Sequence, residues 1–148
     1  MYDTILVPLD GSGRAEAILP YVIELARSQG AKLVLLRVVD PAVTYSGVEG
    51  LPFDVARDIV NAEAEEAKRY LEAKQSELQA ENIEVTTSVR YGAISQAIIE
   101  AAEADGADLI ALASHGRTGL ARMFYGSVAA GILNRADRPL LLIRSTEE

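Results

Sequence analysis

The stretch Leu109-Ile110-Ala111-Leu112-Ala113-Ser114-His115-Gly116, separated by the nine residues Arg117 to Tyr125 from Gly126-Ser127-Val128, decides the fold. Leu109 to Ala113 is apolar at every position, the pattern of a strand buried on both faces of a parallel sheet. Ser114 to Tyr125 then reads as a glycine-containing loop, and Gly126 to Ala136 as a helix. Gly116 lets the backbone leave the strand end and approach a ligand closely. Gly126 and Ser127 stand at the helix start, where free N–H groups and the helix dipole favour a phosphate, and the Ser127 hydroxyl adds a donor. The same residues also fit a plain strand-to-helix loop with a serine cap.

Outward from this stretch, strand and helix alternate to both ends. Thr4 to Leu9 is the first strand, and a helix opened by Ser12 or Gly13 runs to Gln29 with Ile18, Val22 and Ala26 on one face. Pro20 inside that pattern predicts a kink or a late start, and Gly30 ends the helix. Lys32 to Val39 is the second strand. Asp40 to Phe53, with Pro41, Gly47, Gly50 and Pro52, is a connection of the length that usually serves function. A long helix from Asp54 to Ala80 follows, with Val60, Ala64, Ala67, Leu71 and Leu78 at helical spacing. Glu84 to Val89 is the third strand, Ala93 to Ala104 the third helix, and Leu140 to Ile143 the last strand. The alternation predicts one α/β domain over residues 1–148: a parallel sheet, helices on both faces, right-handed crossovers. Ligands of such sheets bind outside the carboxyl ends of the strands. That selects Asp10 to Gly13, Val38 to Asp40, Arg90 to Gly92, and Ala113 to Ser127.

Composition narrows the chemistry. The formal net charge of −8 repels the phosphate backbone of nucleic acid and anionic membranes, so neither is expected as a partner. With no cysteine, disulfides and thiol chemistry are excluded, and a single histidine leaves little for zinc. No apolar run approaches the roughly 20 residues that span a bilayer, and Met1-Tyr2-Asp3-Thr4 leads into a strand without a basic segment, so a cytoplasmic address is expected.

Several segments, in order and spacing, resemble the ATP-binding branch of the universal stress proteins. The family signature is Gly-x-x-Gly, nine residues, then Gly-Ser/Thr. Here it reads Ala113-Ser114-His115-Gly116, nine residues, Gly126-Ser127. Ile5 to Ser12 looks like the family's first strand and loop, Leu35 to Asp40 like its second strand, Gly92 with Ile98 like the opening of its third helix, and Arg138 to Ile143 like its closing strand. The first signature glycine is replaced by Ala113, whose methyl is tolerated at a strand end if φ is negative.

The resemblance implies an open five-stranded Rossmann-like sheet of order 3-2-1-4-5, akin to the adenine nucleotide alpha hydrolases. It implies ATP as ligand, with Mg2+ or Mn2+ held through the phosphates, and a homodimer formed through Leu140 to Ile143. By the same resemblance Pro8 and Gly11 shape the first loop, Asp10 contacts the nucleoside, and the Val38 backbone reads the adenine edge. Ala113, Ser114, His115, Gly116, Gly126, Ser127 and Val128 complete the site. Asp10 also fits a helix N-terminal acid. Arg117 and Arg122 fit either phosphate neutralisation or a solvated surface. His115 invites a catalytic reading, but adjacent residues at a strand end point apart, so Ser114 and His115 make no nucleophile–base pair.

Rival nucleotide folds fail on particular residues. Gly11-Ser12-Gly13 begins like a dinucleotide fingerprint, but its third glycine position is Glu16 and Asp10 would face the pyrophosphate. A phospho-acceptor domain needs an acidic cluster, an Asp after the third strand and a Lys after the fifth; here stand Asp10 alone, Arg90-Tyr91 and Arg144-Ser145. A P-loop needs Gly-Lys-Ser/Thr, and the lysine is missing. What remains is an ATP-binding regulatory module with at most slow hydrolysis, an outright slow ATPase, or an interaction module without a working nucleotide site.

Overall fold

The computed structural model describes residues 1–44, 50–115 and 128–145, and the side chains of all of these except 43, 44, 114 and 115. Strands β1 (Thr4–Pro8), β2 (Lys32–Val39), β3 (Val85–Tyr91), β4 (Leu109–His115) and β5 (Leu140–Ser145) form one five-stranded sheet of order β3-β2-β1-β4-β5. Every neighbouring pair is parallel, with Ile5 beside Leu33 and Leu109, Val38 beside Arg90, and Ala113 beside Ile143.

Alternate residues of each inner strand feed two separate cores. Ile5, Val7, Leu33, Leu35, Leu109 and Ala111 face one side, against α2 (Leu19–Gln29) and α4 (Phe53–Gln79). Leu6, Val34, Leu36, Ile110 and Leu112 face the other, against α5 (Ile94–Ala104) and α6 (residues 128–135). Each fully buried Leu or Ile contributes roughly 1.5–3 kcal/mol relative to exposure. This two-sided burial is why the strands read as unbroken apolar runs.

The helix expected from Gly13 to Gln29 is two helices. α1 (Gly13–Glu16) is capped by Ser12, whose side chain accepts from the Ala15 N–H, and α2 starts afresh at Leu19 with Pro20 in its first turn. There the missing proline N–H has no helical partner to lose. Ile18, Val22 and Ala26 are buried as their spacing implies, and Gly30 closes α2 at φ 68°. α3 (Pro41–Thr44) occupies the start of the long connection.

Two polar clamps secure the amino end of the sheet. The Asp108 carboxylate accepts from the Asp3 N–H at 2.8 Å and the Thr4 N–H at 3.1 Å. Arg138 Nη1 donates to the Ala102 and Ala107 carbonyls at 2.9 and 2.8 Å. The opposite, carboxyl end carries the turn from Asp10 to Ser12.

Candidate nucleotide site

At the carboxyl end the chain order reverses: β1 sits between β2 and β4, and the helices that follow β1 and β4 pack on opposite faces. A crevice opens where the two connections part. It holds a cavity of about 250 Å³ lined by Pro8, Leu9 and Asp10 after β1, Leu36 and Val38 of β2, Leu112 and Ala113 of β4, Ala15, Ile94, Ile98 and Val128. The side chains of the described lining residues are apolar except for Asp10, the composition of a pocket for a flat, largely apolar ring held by few polar contacts.

Polar groups enter from backbone and loop. The Leu36 carbonyl accepts from the Leu9 N–H at 2.8 Å, whereas the Val39 carbonyl accepts from the Gly92 N–H at 3.0 Å on the β3 side. Residues of a strand alternate in the neighbour they address, so the N–H and C=O of Val38 turn toward β1. The last β1–β2 pair is Pro8 with Leu36, so β1 has already ended at the level of Val38. One donor and one acceptor therefore face the crevice side by side.

Asp10 is held by its own loop. The Ser12 N–H and Oγ both donate to Asp10 Oδ1, at 2.9 and 2.5 Å. Gly11 makes the turn at φ +88°, and a Cβ there would stand 3.3 Å from Arg37 Nη1. No other residue type fits this position without strain.

Of the residues that sequence selected, Pro8, Asp10, Val38, Ala113 and Val128 line one cavity, and Gly11 shapes its first loop. Ser114 and His115 are the last residues of β4, paired with Arg144 and Ser145. Gly116, Arg117, Arg122, Gly126 and Ser127 lie outside the described residues, as does Tyr45 in the long connection. Ala113 sits in regular strand geometry: among the described residues Asn82 is the sole non-glycine at positive φ. Sequence reading missed Leu9, Ala15, Leu36, Ile94, Ile98 and Leu112 as pocket lining. Leu36 and Leu112 were findable, since each lies on the α5 face near its strand's carboxyl end.

Beyond the pocket wall, Glu16 carries an ion-pair and hydrogen-bond cluster. The Tyr70 hydroxyl donates to Glu16 Oε2 at 2.6 Å, and Lys74 Nζ is 2.9 Å from Glu16 Oε1. Burial pushes the Glu16 carboxyl up, but the Tyr70 and Lys74 contacts outweigh it and hold the group below its ordinary value. The hydrogen bond to Glu16 raises Lys74, and burial together with Glu16 raises Tyr70.

A parallel sheet of this order with a crevice at the β1/β4 switch defines the Rossmann-like class. The model of the universal stress protein family matches residues 1–144, and the chain belongs to that family. Universal stress protein MJ0577 of Methanocaldococcus jannaschii is 30% identical over 155 residues, covering 97% of this chain and 96% of that protein. YxiE of Bacillus subtilis is 28% identical, covering 97% of this chain and all of its own. The solved structure of MJ0577 superposes with a TM-score of 0.83 at 28% identity, covering 100% of this chain and 99% of that one. UspA of Lactobacillus plantarum superposes at 0.78 with 26% identity, covering 97% and 98%. Two more distant universal stress proteins share the fold: one in complex with cAMP (20% identical, TM-score 0.67) and one from Archaeoglobus fulgidus in complex with dAMP (22%, 0.65), each covering 97% of this chain. Among the described residues no helix is long and apolar enough to cross a membrane.

Proposed function

We propose that the chain binds ATP in the β1/β4 crevice and acts as a nucleotide-dependent regulatory module of the cytoplasm with at most slow hydrolysis. The observation that carries this reading is the backbone of Val38, whose N–H and C=O face the apolar pocket together. Adenine offers a ring acceptor beside an amino donor, which is the complement of that pair. Asp10, at the pocket mouth, is suited to accept from ribose hydroxyls, and the apolar walls from Leu36, Ile98 and Ala113 suit the faces of the base. The distant relatives solved with cAMP and dAMP are in keeping with an adenine ligand.

The phosphate half of the proposal rests on Gly116, Gly126 and Ser127, whose types and spacing suit a phosphate-binding helix start. Mg2+ or Mn2+ would ride on the phosphates. That needs no ligand cluster from the protein, and among the described residues none is gathered. Among the described lining residues Asp10 is the only ionisable side chain, so these residues supply binding contacts rather than a set of proton-transfer groups.

Equilibrium titration with ATP, paired with single-turnover hydrolysis, tests the reading. Micromolar binding with turnover slower than minutes supports it. Rapid turnover would make the protein an ATPase, and absence of binding would make it an interaction module. Gly126→Asp supplies the site control: a carboxylate at the helix start repels the phosphates, so affinity should be lost while the folded signal persists.

A further inference from the structure

We propose that Glu16, Tyr70 and Lys74 are positioning residues that set nucleotide affinity by tying α1 and the first loop to the long helix α4. The inference rests on the adenine-nucleotide reading of the pocket.

α1 is four residues long and buries no side chain. A helix that short has no stability of its own, and its apolar hold on the core is the small, partly buried Ala15 side chain, with Ile18 anchoring the chain just beyond it. Yet α1 carries Ala15 in the pocket wall and follows directly on Asp10. So small an apolar contact leaves the orientation of α1 to be set by polar ties.

Glu16, its last residue, supplies that hold. Both carboxylate oxygens are engaged, one by the Tyr70 hydroxyl at 2.6 Å and one by the Lys74 ammonium at 2.9 Å. Tyr70 and Lys74 stand one helical turn apart on α4, so a single rigid element presents both donors. Bonds to an ionised acceptor are the stronger kind. The Lys74 and Glu16 side chains are only 20% and 26% exposed, which shelters the pair more than a free surface bridge. The low-held Glu16 carboxyl and raised Lys74 agree with an ionised, engaged pair.

A second arm of the same cluster reaches the loop itself. The Arg37 guanidinium of β2 stands 5.3 Å from the Tyr70 ring centroid, and its Nη1 lies on the side of Gly11 where a Cβ would project, 3.3 Å from that point. Tyr70 thus ties α1 through its hydroxyl and stands, with Arg37 between, beside the Gly11 turn. Glu16 and Tyr70 are 54 positions apart in sequence, and among the described residues α4 contributes none to the cavity lining. The network therefore makes α4 an element through which events outside the pocket can reach the nucleotide.

The test uses the full chain in two arms. Hydrogen exchange of the amides from Ser12 to Ala17 is measured without ligand, and ATP affinity is measured by calorimetry. Tyr70→Phe and Glu16→Gln should each speed exchange in that segment about tenfold, leave β2 and the rest of α4 unchanged, and weaken ATP binding roughly three- to tenfold. Combining them should weaken binding by less than the sum of the two, because both act on the same carboxylate-centred contact. Lys74→Arg should keep affinity within about twofold. Unchanged exchange and affinity in the folded variants would overturn the proposal, as would acceleration spread evenly over the chain. Fully additive losses would overturn the shared contact. Wild-type protein that binds no ATP would overturn the nucleotide reading and the affinity role with it; the exchange arm would then decide separately whether the network holds α1.

Discussion

Ser12 Oγ lies 2.5 Å from Asp10 Oδ1 and accepts from the Ala15 N–H at 3.2 Å, so one hydroxyl joins the pocket acid to the helix that follows it. Its hydrogen is given to the carboxylate and its lone pair to the helix cap. Removing it frees both ends.

Ser12→Ala should therefore cost about 1 kcal/mol of stability from the lost cap, a fall in Tm of roughly 2–4 °C. Asp10 loses one of two donors and gains rotational freedom, so ATP affinity should fall several-fold. Thermal melts with and without ATP measure both effects. A melting shift without an affinity change would confine Ser12 to capping.

The acid limb of stability should report Glu16. Its folded-state carboxyl is held below the ordinary value by Tyr70 and Lys74, which outweigh burial and the nearby charge of Asp10. A depressed carboxyl stabilises the folded chain fully above its unfolded value, roughly pH 4.3. That stabilisation is lost as pH falls through the lower folded value. Urea denaturation between pH 6 and pH 3 should show Glu16→Gln with lower stability at pH 6 and a shallower decline toward pH 3. Equal slopes for the variant and wild type would remove Glu16 from the acid response.

Ala113 offers a test of the pocket wall. Ala113 lines the cavity at the carboxyl end of β4 and also packs partly against the first core. Ala113→Leu should lower ATP affinity at least tenfold by crowding the crevice, with a fall in Tm from overpacking beside that core. Ala113→Gly restores the family's signature residue, yet should leave affinity within about twofold, because Ala113 needs no positive φ. It should also lower stability by up to about 1 kcal/mol through backbone entropy. Competitive displacement of a fluorescent ATP analogue compares the three proteins.

The fold was legible wherever burial was two-sided. β2 occupies Lys32–Val39 as its apolar run indicates, and the sheet order is the one the family resemblance implies. Strand ends were less legible. β3 runs on through Arg90 and Tyr91, and β4 through Ser114 and His115, because backbone pairing continues where apolar character has stopped. The break between α1 and α2 was half legible: Pro20 announced a disturbance, but both a kink and a late start satisfied it. For the site, loop chemistry marked Asp10 and Gly11, and the resemblance pointed to Val38. The Glu16–Tyr70–Lys74 cluster left no sequence signal. Lys and Glu at surface spacing in α4 look alike whether or not one of them meets a carboxylate 54 positions away.

The last prediction concerns assembly. β5 pairs only with β4 and so forms one edge of the sheet. Its residues Leu140 to Ile143 are all apolar, and Leu142 remains 42% exposed. Leu133 of the neighbouring helix α6 is 60% exposed. Natural edges are protected by charge, proline or bulges; here Pro139 precedes the strand and Arg144 is its first charge. Two such edges meeting across a two-fold axis would pair the open backbone groups and cover Leu142 in one step. We therefore expect a homodimer through β5. Leu142→Lys places a like charge twice at that contact, close to the axis, and should convert the dimer to monomer in sedimentation equilibrium. Because Leu142 is not part of either core, the monomer should keep its fold and its ATP affinity. Wild-type protein sedimenting as a monomer at micromolar concentration would end the dimer expectation, and a variant that stays dimeric would move the interface elsewhere.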